Sequence, residues 1–364
     1  MFAILLIVLF LIVVVYLFEQ QTSFGSQPEG ERLEKILLSK NYKNGSFQNL
    51  SPTKMMVENA SYIQLFKMYI QKKTPTDPID SLPIITPDFK NESENPEIIW
   101  FGHSSYLIQY QKFNILVDPV FSVRASPVQY AGSKAYYGTQ VFNLDMLPYI
   151  DIVIISHDHY DHLDFETITR FKSRMVKFFV PLGVGAHLEY WEISPENITE
   201  LDWWESVALG NFMTLTATPA RHFSGRALTG RNQTLWSSYV LQMNHFKIFL
   251  GGDSGYDSHF IEIGKKFGAF DLAILECGQY NASWPYIHMM PEQTAQAAID
   301  LKAKFLLPVH WSKFTLALHL WNEPIQRVVK KSHELHLLIT TPQIGEKVIV
   351  GSKYPQSNWW DSVL

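Results

Sequence analysis

The chain opens on an unbroken apolar run, Phe2 to Phe18, with no charged residue to give a helix a second face. As a helix these 17 residues would extend roughly 25 Å, the short end of what crosses a hydrocarbon core. No Lys or Arg precedes the run and no small-x-small site follows it, only Glu19, Gln20 and Gln21, so an uncleaved anchor is favoured over a secretory signal. Residues 1–19 are thus expected to be a single-pass transmembrane helix. Its orientation stays open, because the nearest downstream cations, Arg32 and Lys35, stand among Glu29, Glu31 and Glu34.

Residues 20–95 are polar, punctuated by Gly, Pro and Asn, with one amphipathic stretch near Val57 to Gln71 that carries Tyr62, Leu65, Phe66 and Tyr69. This reads as a linker and packing arm. From Pro96 onward short apolar or alternating runs separated by turn residues define a domain over 96–364. Strands are expected at Ile98–Phe101, Ser105–Tyr110, Asn114–Asp118, Asp151–Ser156, Phe212–Thr218, Ser237–Gln242 and Lys247–Gly251. Helices are expected at Phe165–Phe171, Phe260–Phe267, Pro291–Ala303 and Glu323–Lys330. Strand runs interleaved with helices make an α/β fold of two packed sheets covered by helices on their outer faces.

With 364 residues, 46% of them hydrophobic, the chain can bury a large core. A net charge of −5 supplies no basic field, which argues against a nucleic-acid partner. Cys277 is the single cysteine, so no intrachain disulfide forms. The oligomeric state is left open, a homodimer being allowed.

The strongest chemical signal is Ser156-His157-Asp158-His159-Tyr160-Asp161-His162, placed at the mouth of an apolar strand. Three imidazoles and carboxylates crowded there suit a borderline cation that takes N and O ligands, zinc above all. Asp118, His222 and Asp253 follow runs of strand length elsewhere in the chain, and His310 stands in Leu307-Pro308-Val309-His310-Trp311. His157-x-His159-x-Asp161-His162 with these four positions, in order, resembles the metallo-β-lactamase superfamily, whose fold is an αβ/βα four-layer sandwich with metals at one edge. Asp118 to Pro127, Leu201-Asp202-Trp203-Trp204-Glu205 and Gly252-Asp253-Ser254-Gly255-Tyr256 are similar to the N-acylphosphatidylethanolamine-hydrolysing phospholipase D branch. That likeness runs from about Pro96 to Lys330.

The resemblance implies two zinc ions: His157, His159 and His222 on one, Asp161, His162 and His310 on the other, and Asp253 bridging. It implies a shared water that attacks phosphorus, with Asp161, Asp253 and His288 as catalytic groups. Asp118 exceeds the ligand count and suits a role behind the ligands, accepting an N–H from a metal-bound His, although a plain strand-end Asp reads the same way. His288 would polarise the phosphoryl oxygen or protonate the leaving group, and His103 would line the site. Trp203, Trp204 and Tyr280 are the candidate substrate contacts, although adjacent tryptophans beside a strand also suit a core. Glu276 and Cys277 stand where mammalian-type members of the branch are apolar, and a pocket-facing Glu276 would change polarity near the leaving group. Cys277 has no triad-like base around it and suits a buried thiol. The triplets at Asn44, Asn59 and Asn281 are read as accidental glycosylation matches.

Three functions remain. The first is phospholipase D-type release of an N-acylethanolamine and phosphatidic acid at a membrane. The second is a dimetal lactonase or sugar-phosphate hydrolase, for which Lys313 and Arg226 would contact a small polar substrate. The third is an inactive, anchored metal-binding scaffold.

Overall fold

The computed structural model describes residues 2–58, 60–70, 76–90 and 93–363. Asn59 and Gln71 lie outside the described residues, as do the side chains of Tyr62, Phe66 and Tyr69.

The body of the domain is built from fourteen strands in two seven-stranded sheets. In chain order they are β1 (Glu97–Trp100), β2 (Tyr106–Tyr110), β3 (Phe113–Val117), β4 (Ile152–Ile154), β5 (Lys177–Pro181), β6 (Ile198–Leu201), β7 (Ser206–Ala208), β8 (Met213–Thr218), β9 (Ser238–Met243), β10 (Phe246–Leu250), β11 (Leu272–Glu276), β12 (Phe305–Val309), β13 (Leu338–Ile339) and β14 (Lys347–Ile349). The first sheet runs β6-β5-β4-β3-β2-β1-β14 and the second β7-β8-β9-β10-β11-β12-β13. Each is mixed. β3 to β6 are parallel and β1, β2 and β14 antiparallel, while β7 to β10 are antiparallel and β10 to β13 parallel.

One continuous buried cluster runs through both sheets, from Ile98, Leu107 and Leu116 to Val240, Ile274 and Leu306. Strands such as β4 and β11 are buried at every position, so they read as solid apolar runs rather than alternating ones. Helices cover the outer faces. Counting the helices from the N-terminus, α1 is Phe2–Glu19, α2 Gly30–Leu38, α3 Tyr62–Ile70, α4 Phe165–Thr169, α5 Gly185–Tyr190, α6 His259–Phe267, α7 Pro291–Asp300 and α8 Glu323–Glu334. α7 packs on β11 and β12 between α6 and α8, and α5 packs on β6.

The expected transmembrane helix is corrected. α1 is helical and its apolar side chains from Ile4 to Phe18 are exposed, but no helix among the described residues is long and apolar enough to cross a membrane. Eighteen residues ending at Glu19 extend roughly 27 Å, short of a hydrocarbon core about 30 Å thick. The helix is docked at its C-terminal end: Phe18 meets Phe24 edge-on at 5.3 Å, Phe24 meets Tyr160 at 6.2 Å, and Glu19 accepts the Leu228 N–H at 2.7 Å.

Residues after α1 also pack on the body. Ile36 of α2 and Phe47 are buried with Leu182, Trp203, Leu235 and Trp236 in a second apolar cluster.

Candidate metal centre

Every sequence-selected ligand, and Asp118 behind them, lies just past the C-terminal end of a strand, where the strand's last carbonyls and the following turn set its position. Asp118 follows β3, the 156–162 loop follows β4, His222 follows β8, Asp253 follows β10 and His310 follows β12. Both sheets contribute, and their ends converge at one edge.

Two of these residues, Asp118 at φ 41° and His310 at 66°, hold left-handed backbone, as does the neighbouring His103 at 53°. Such conformations cost of order 1–3 kcal/mol each for a side chain and persist where surrounding structure holds them. Gly252 at φ 58° lets the chain turn into Asp253, since a Cβ there would stand 2.8 Å from the Ser156 Cβ.

The structure brings His157, His159 and His222 into one group whose ligand atoms lie within 4.8 Å of one another, and Asp161, His162, His310 and His103 into a second. His159 Nδ1 lies 2.9 Å from His157 Nε2 and 3.2 Å from His222 Nε2. Asp253 stands between the groups: its Oδ2 is 3.9 Å from His157 Nε2, 3.9 Å from His222 Nε2 and 3.2 Å from His162 Nε2, and its Oδ1 is 3.2 Å from His310 Nδ1. Asp161 Oδ2 sits 2.9 Å from His103 Nε2, 3.5 Å from His162 Nε2 and 3.9 Å from His310 Nε2.

Behind these residues lies a supporting layer. Asp118 accepts the Ser156 N–H at 2.7 Å, the Ser156 hydroxyl at 2.7 Å and His162 Nδ1–H at 2.8 Å. A carboxylate only accepts, so this contact puts the proton on His162 Nδ1 and leaves Nε2 free toward Asp161 and Asp253. His222 Nδ1 likewise donates to the Ile287 carbonyl at 2.8 Å, and the Ser104 hydroxyl meets His310 Nδ1 at 2.9 Å.

Burial pushes His157, His222 and His310 well below the ordinary imidazole range. Burial opposes ionisation of Asp161 and Asp253, but the imidazoles around them, His162 first, outweigh it and hold both carboxyls well down. His162 goes the other way, because Asp253, Asp161 and Asp118 overcome its desolvation. The neutral imidazoles of His157, His222 and His310 and the ionised carboxylates of Asp161 and Asp253 are donors of the kind a divalent cation requires, and His162, held charged by three carboxylates, would give up its proton to a cation in that place.

The atoms left over point the same way. His162 Nε2, His310 Nε2 and Asp253 Oδ1 are buried and make no hydrogen bond, a costly arrangement for polar atoms unless a cation completes them. The residues therefore fit a pair of metal ions.

A cavity of about 170 Å³ opens over the centre. Its floor is His159, Asp161, Asp253, His288 and His310, and its walls are Phe223, Trp284, Ile287, Leu316 and Gln279. His288 Nδ1 is 2.7 Å from Glu276 Oε2, which leaves Nε2 for the cavity. Glu276 does not face the cavity as considered from sequence. It is fully buried, and its Oε1 accepts the N–H groups of Ser254 at 3.0 Å and Met289 at 3.1 Å. Desolvation pushes its carboxyl up to about 7; burial would lower His288, but Glu276 and Asp253 together push it up to about 9.

The three candidate substrate contacts fall elsewhere. Trp203 is buried in the second apolar cluster, its indole N–H donating to the Trp236 carbonyl at 2.8 Å. Trp204 packs under the Lys266 ammonium, 4.4 Å from its ring centroid, and the Tyr280 hydroxyl donates to Glu323 on α8 at 2.6 Å. None of the three lines the cavity. Sequence reasoning missed the actual walls; Phe223 alone carried a signal, being an apolar residue next to a ligand. Lys313 and Arg226, considered for a small anionic substrate, are buried and bound to carbonyls of Val120, Asp158, Leu163 and Ser23. Cys277 is buried and burial pushes its thiol up.

Two mixed sheets with a His/Asp cluster at their shared edge define a metal-dependent hydrolase. Residues 113–311 match the beta-lactamase superfamily domain, and the chain belongs to that family. Among its relatives, an uncharacterized protein of Mycobacterium tuberculosis is 37% identical over 328 residues, spanning 88% of this chain and 87% of that one. The N-acyl-phosphatidylethanolamine-hydrolyzing phospholipase D 1 of Caenorhabditis elegans is 30% identical over 306 residues, 81% of this chain and 79% of that one. Among solved structures, the metallo hydrolase Igni18 of Ignicoccus hospitalis superposes with a TM-score of 0.55 at 18% identity, covering 71% of this chain and all of that one.

Proposed function

We propose that the chain is a two-zinc phosphodiesterase that cleaves an N-acylphosphatidylethanolamine to an N-acylethanolamine and phosphatidic acid. The observation that carries this reading is the cavity wall: Phe223, Trp284, Ile287 and Leu316 line it, and among the described residues no Lys or Arg does. A sugar phosphate carries two charges and would need a cationic clamp there. A phosphodiester bears one charge and an apolar arm on each side. The kinship to the C. elegans phospholipase supports the same substrate class.

His157, His159 and His222 would hold one ion, Asp161, His162 and His310 the other, and Asp253 would bridge. When bound, the pair supplies Lewis acidity to a phosphoryl oxygen and draws the pKa of water toward neutrality. The chain's own residues do the rest. Water's oxygen bonds to phosphorus as the phosphorus–ethanolamide oxygen bond breaks, and one water proton passes to Asp253 or Asp161. His288, aligned by Glu276, hands its Nε2 proton to the departing oxygen. Apolar walls exclude bulk water and receive the first methylenes of the leaving group.

The exposed apolar surface of α1 would bring the chain to a lipid surface, raising the local concentration of substrate. Purified protein with two zinc ions should hydrolyse N-acylphosphatidylethanolamine in mixed micelles. Turnover of lactones or sugar phosphates, with no glycerophospholipid cleaved, would refute the assignment. Flotation with liposomes, compared with a variant lacking residues 1–19, tests the membrane contact.

A further inference from the structure

The backbone of His222 is held from outside both sheets. It lies beyond the end of β8, so no ladder hydrogen bond serves it. Asn49, 173 residues earlier in the chain, takes that role: its Nδ2 donates to the His222 carbonyl at 2.8 Å and its Oδ1 accepts the His222 N–H at 3.0 Å. The same Oδ1 accepts the Trp236 indole N–H at 3.1 Å.

The contacts continue along the segment. Thr53 Oγ1 accepts Arg221 Nε–H at 2.9 Å and the Pro52 carbonyl accepts Arg221 Nη2–H at 2.9 Å. Val57 N–H donates to the Ser283 carbonyl at 2.9 Å, on the cavity loop. That loop carries Ile287, whose carbonyl fixes the His222 ring. Upstream, the segment is pinned by Phe47, which is fully buried and whose N–H donates to the Asn232 carbonyl at 2.8 Å. Residues 47–57 therefore form a closed circuit around His222: one end in the core, the middle on its peptide groups, the far end on the loop that orients its imidazole.

We infer that this segment is a clasp for the metal centre and that Asn49 is a positioning residue that places His222 through both of its backbone polar groups. A primary amide offers donor and acceptor side by side, as a peptide does, and so fixes both translation and rotation of the peptide it pairs with. Aspartate can only accept, and alanine supplies neither contact. Groups behind metal ligands change metal affinity by roughly 10–100-fold when removed. Asn49 acts through the ligand's backbone, so the low end of that range applies. The inference rests on the reading of His222 as a ligand.

The test uses the full chain and zinc alone, with competition by a chromophoric chelator, so substrate identity plays no part. Wild type should hold two zinc ions. Asn49→Ala should release one of the two about tenfold more readily at unchanged second-site affinity, and Asn49→Asp, which keeps the acceptor contacts, should fall between. Cobalt(II) substitution adds a readout that a general loss of stability would not move: the visible spectrum of one ion should change in Asn49→Ala while the other stays constant. If Asn49→Ala does not fold, the Asp variant decides. Folded variants that hold both ions with wild-type affinity and spectrum overturn the clasp and leave the ligand assignment standing. A wild-type chain that binds no zinc overturns the ligand assignment, and the clasp with it.

Discussion

Asp118→Asn exchanges one oxygen for an NH2 group at a position only 1% exposed, where three donors converge. Shape and packing are kept, so the change isolates the loss of an acceptor. The Ser156 hydroxyl can rotate, but the Ser156 N–H and His162 Nδ1–H cannot both face an oxygen of the amide as they face the carboxylate. Turning the amide nitrogen toward His162 forces the proton from Nδ1 to Nε2, the atom that must offer its lone pair. One charge-assisted hydrogen bond is worth roughly 1.5–3 kcal/mol. The effect expected for a group supporting a ligand, about 10–100-fold in metal affinity, converts to about 1.4–2.7 kcal/mol at 25 °C. The two routes agree. Equilibrium dialysis against zinc buffers, read by elemental analysis, should show one of two ions weakened within that range. Circular dichroism should be unchanged. An Asn variant that binds both ions within twofold of wild type would show that Asp118 is a strand-end residue and not the support of His162.

His288→Ala should lower kcat by roughly 10²–10³ with zinc content intact, as loss of a positioned proton donor does. The carboxylates raise His288, so its proton is present at low pH and is lost as pH rises; Glu276→Gln removes part of that pull, and the alkaline fall of the rate profile should move to lower pH. An unmoved profile would separate Glu276 from the chemistry. Leu316→Asp, at a cavity residue 40% exposed, should cost no more than about 0.5 kcal/mol in stability while raising KM for lipid, measured by micelle kinetics and thermal melts. Chelation should lower the melting temperature, since each ion held at about a thousand times its Kd stabilises the fold by about 4 kcal/mol; equal melts with and without zinc would contradict a centre built for two ions.

The sequence of this chain carried its chemistry more openly than its surroundings. His157 to His162 are local in the chain because one loop after one strand supplies four of the candidate ligands, and a short loop cannot hide its spacing. The strands next to it were legible for a similar reason: β2, β3 and β8 to β10 alternate or end in turn residues. Seven strands escaped notice: β5, β11 and β12 are buried at nearly every position and lack a period of two, and β6, β7, β13 and β14 are only two to four residues long. β12 also contains Pro308, paired in register with Leu275 inside a parallel ladder where proline is seldom found.

What the sequence determined by itself was the set of atoms able to hold cations and the family those atoms mark. Tertiary structure decided which of them meet, which indoles are spent on the core, and that Glu276 serves His288 from behind instead of facing substrate. It also decided that an asparagine in a polar arm pairs with the backbone of His222, 173 positions away. Local composition fixes what a side chain can donate or accept, whereas the partner it finds depends on distances between segments that only the packed sheets set.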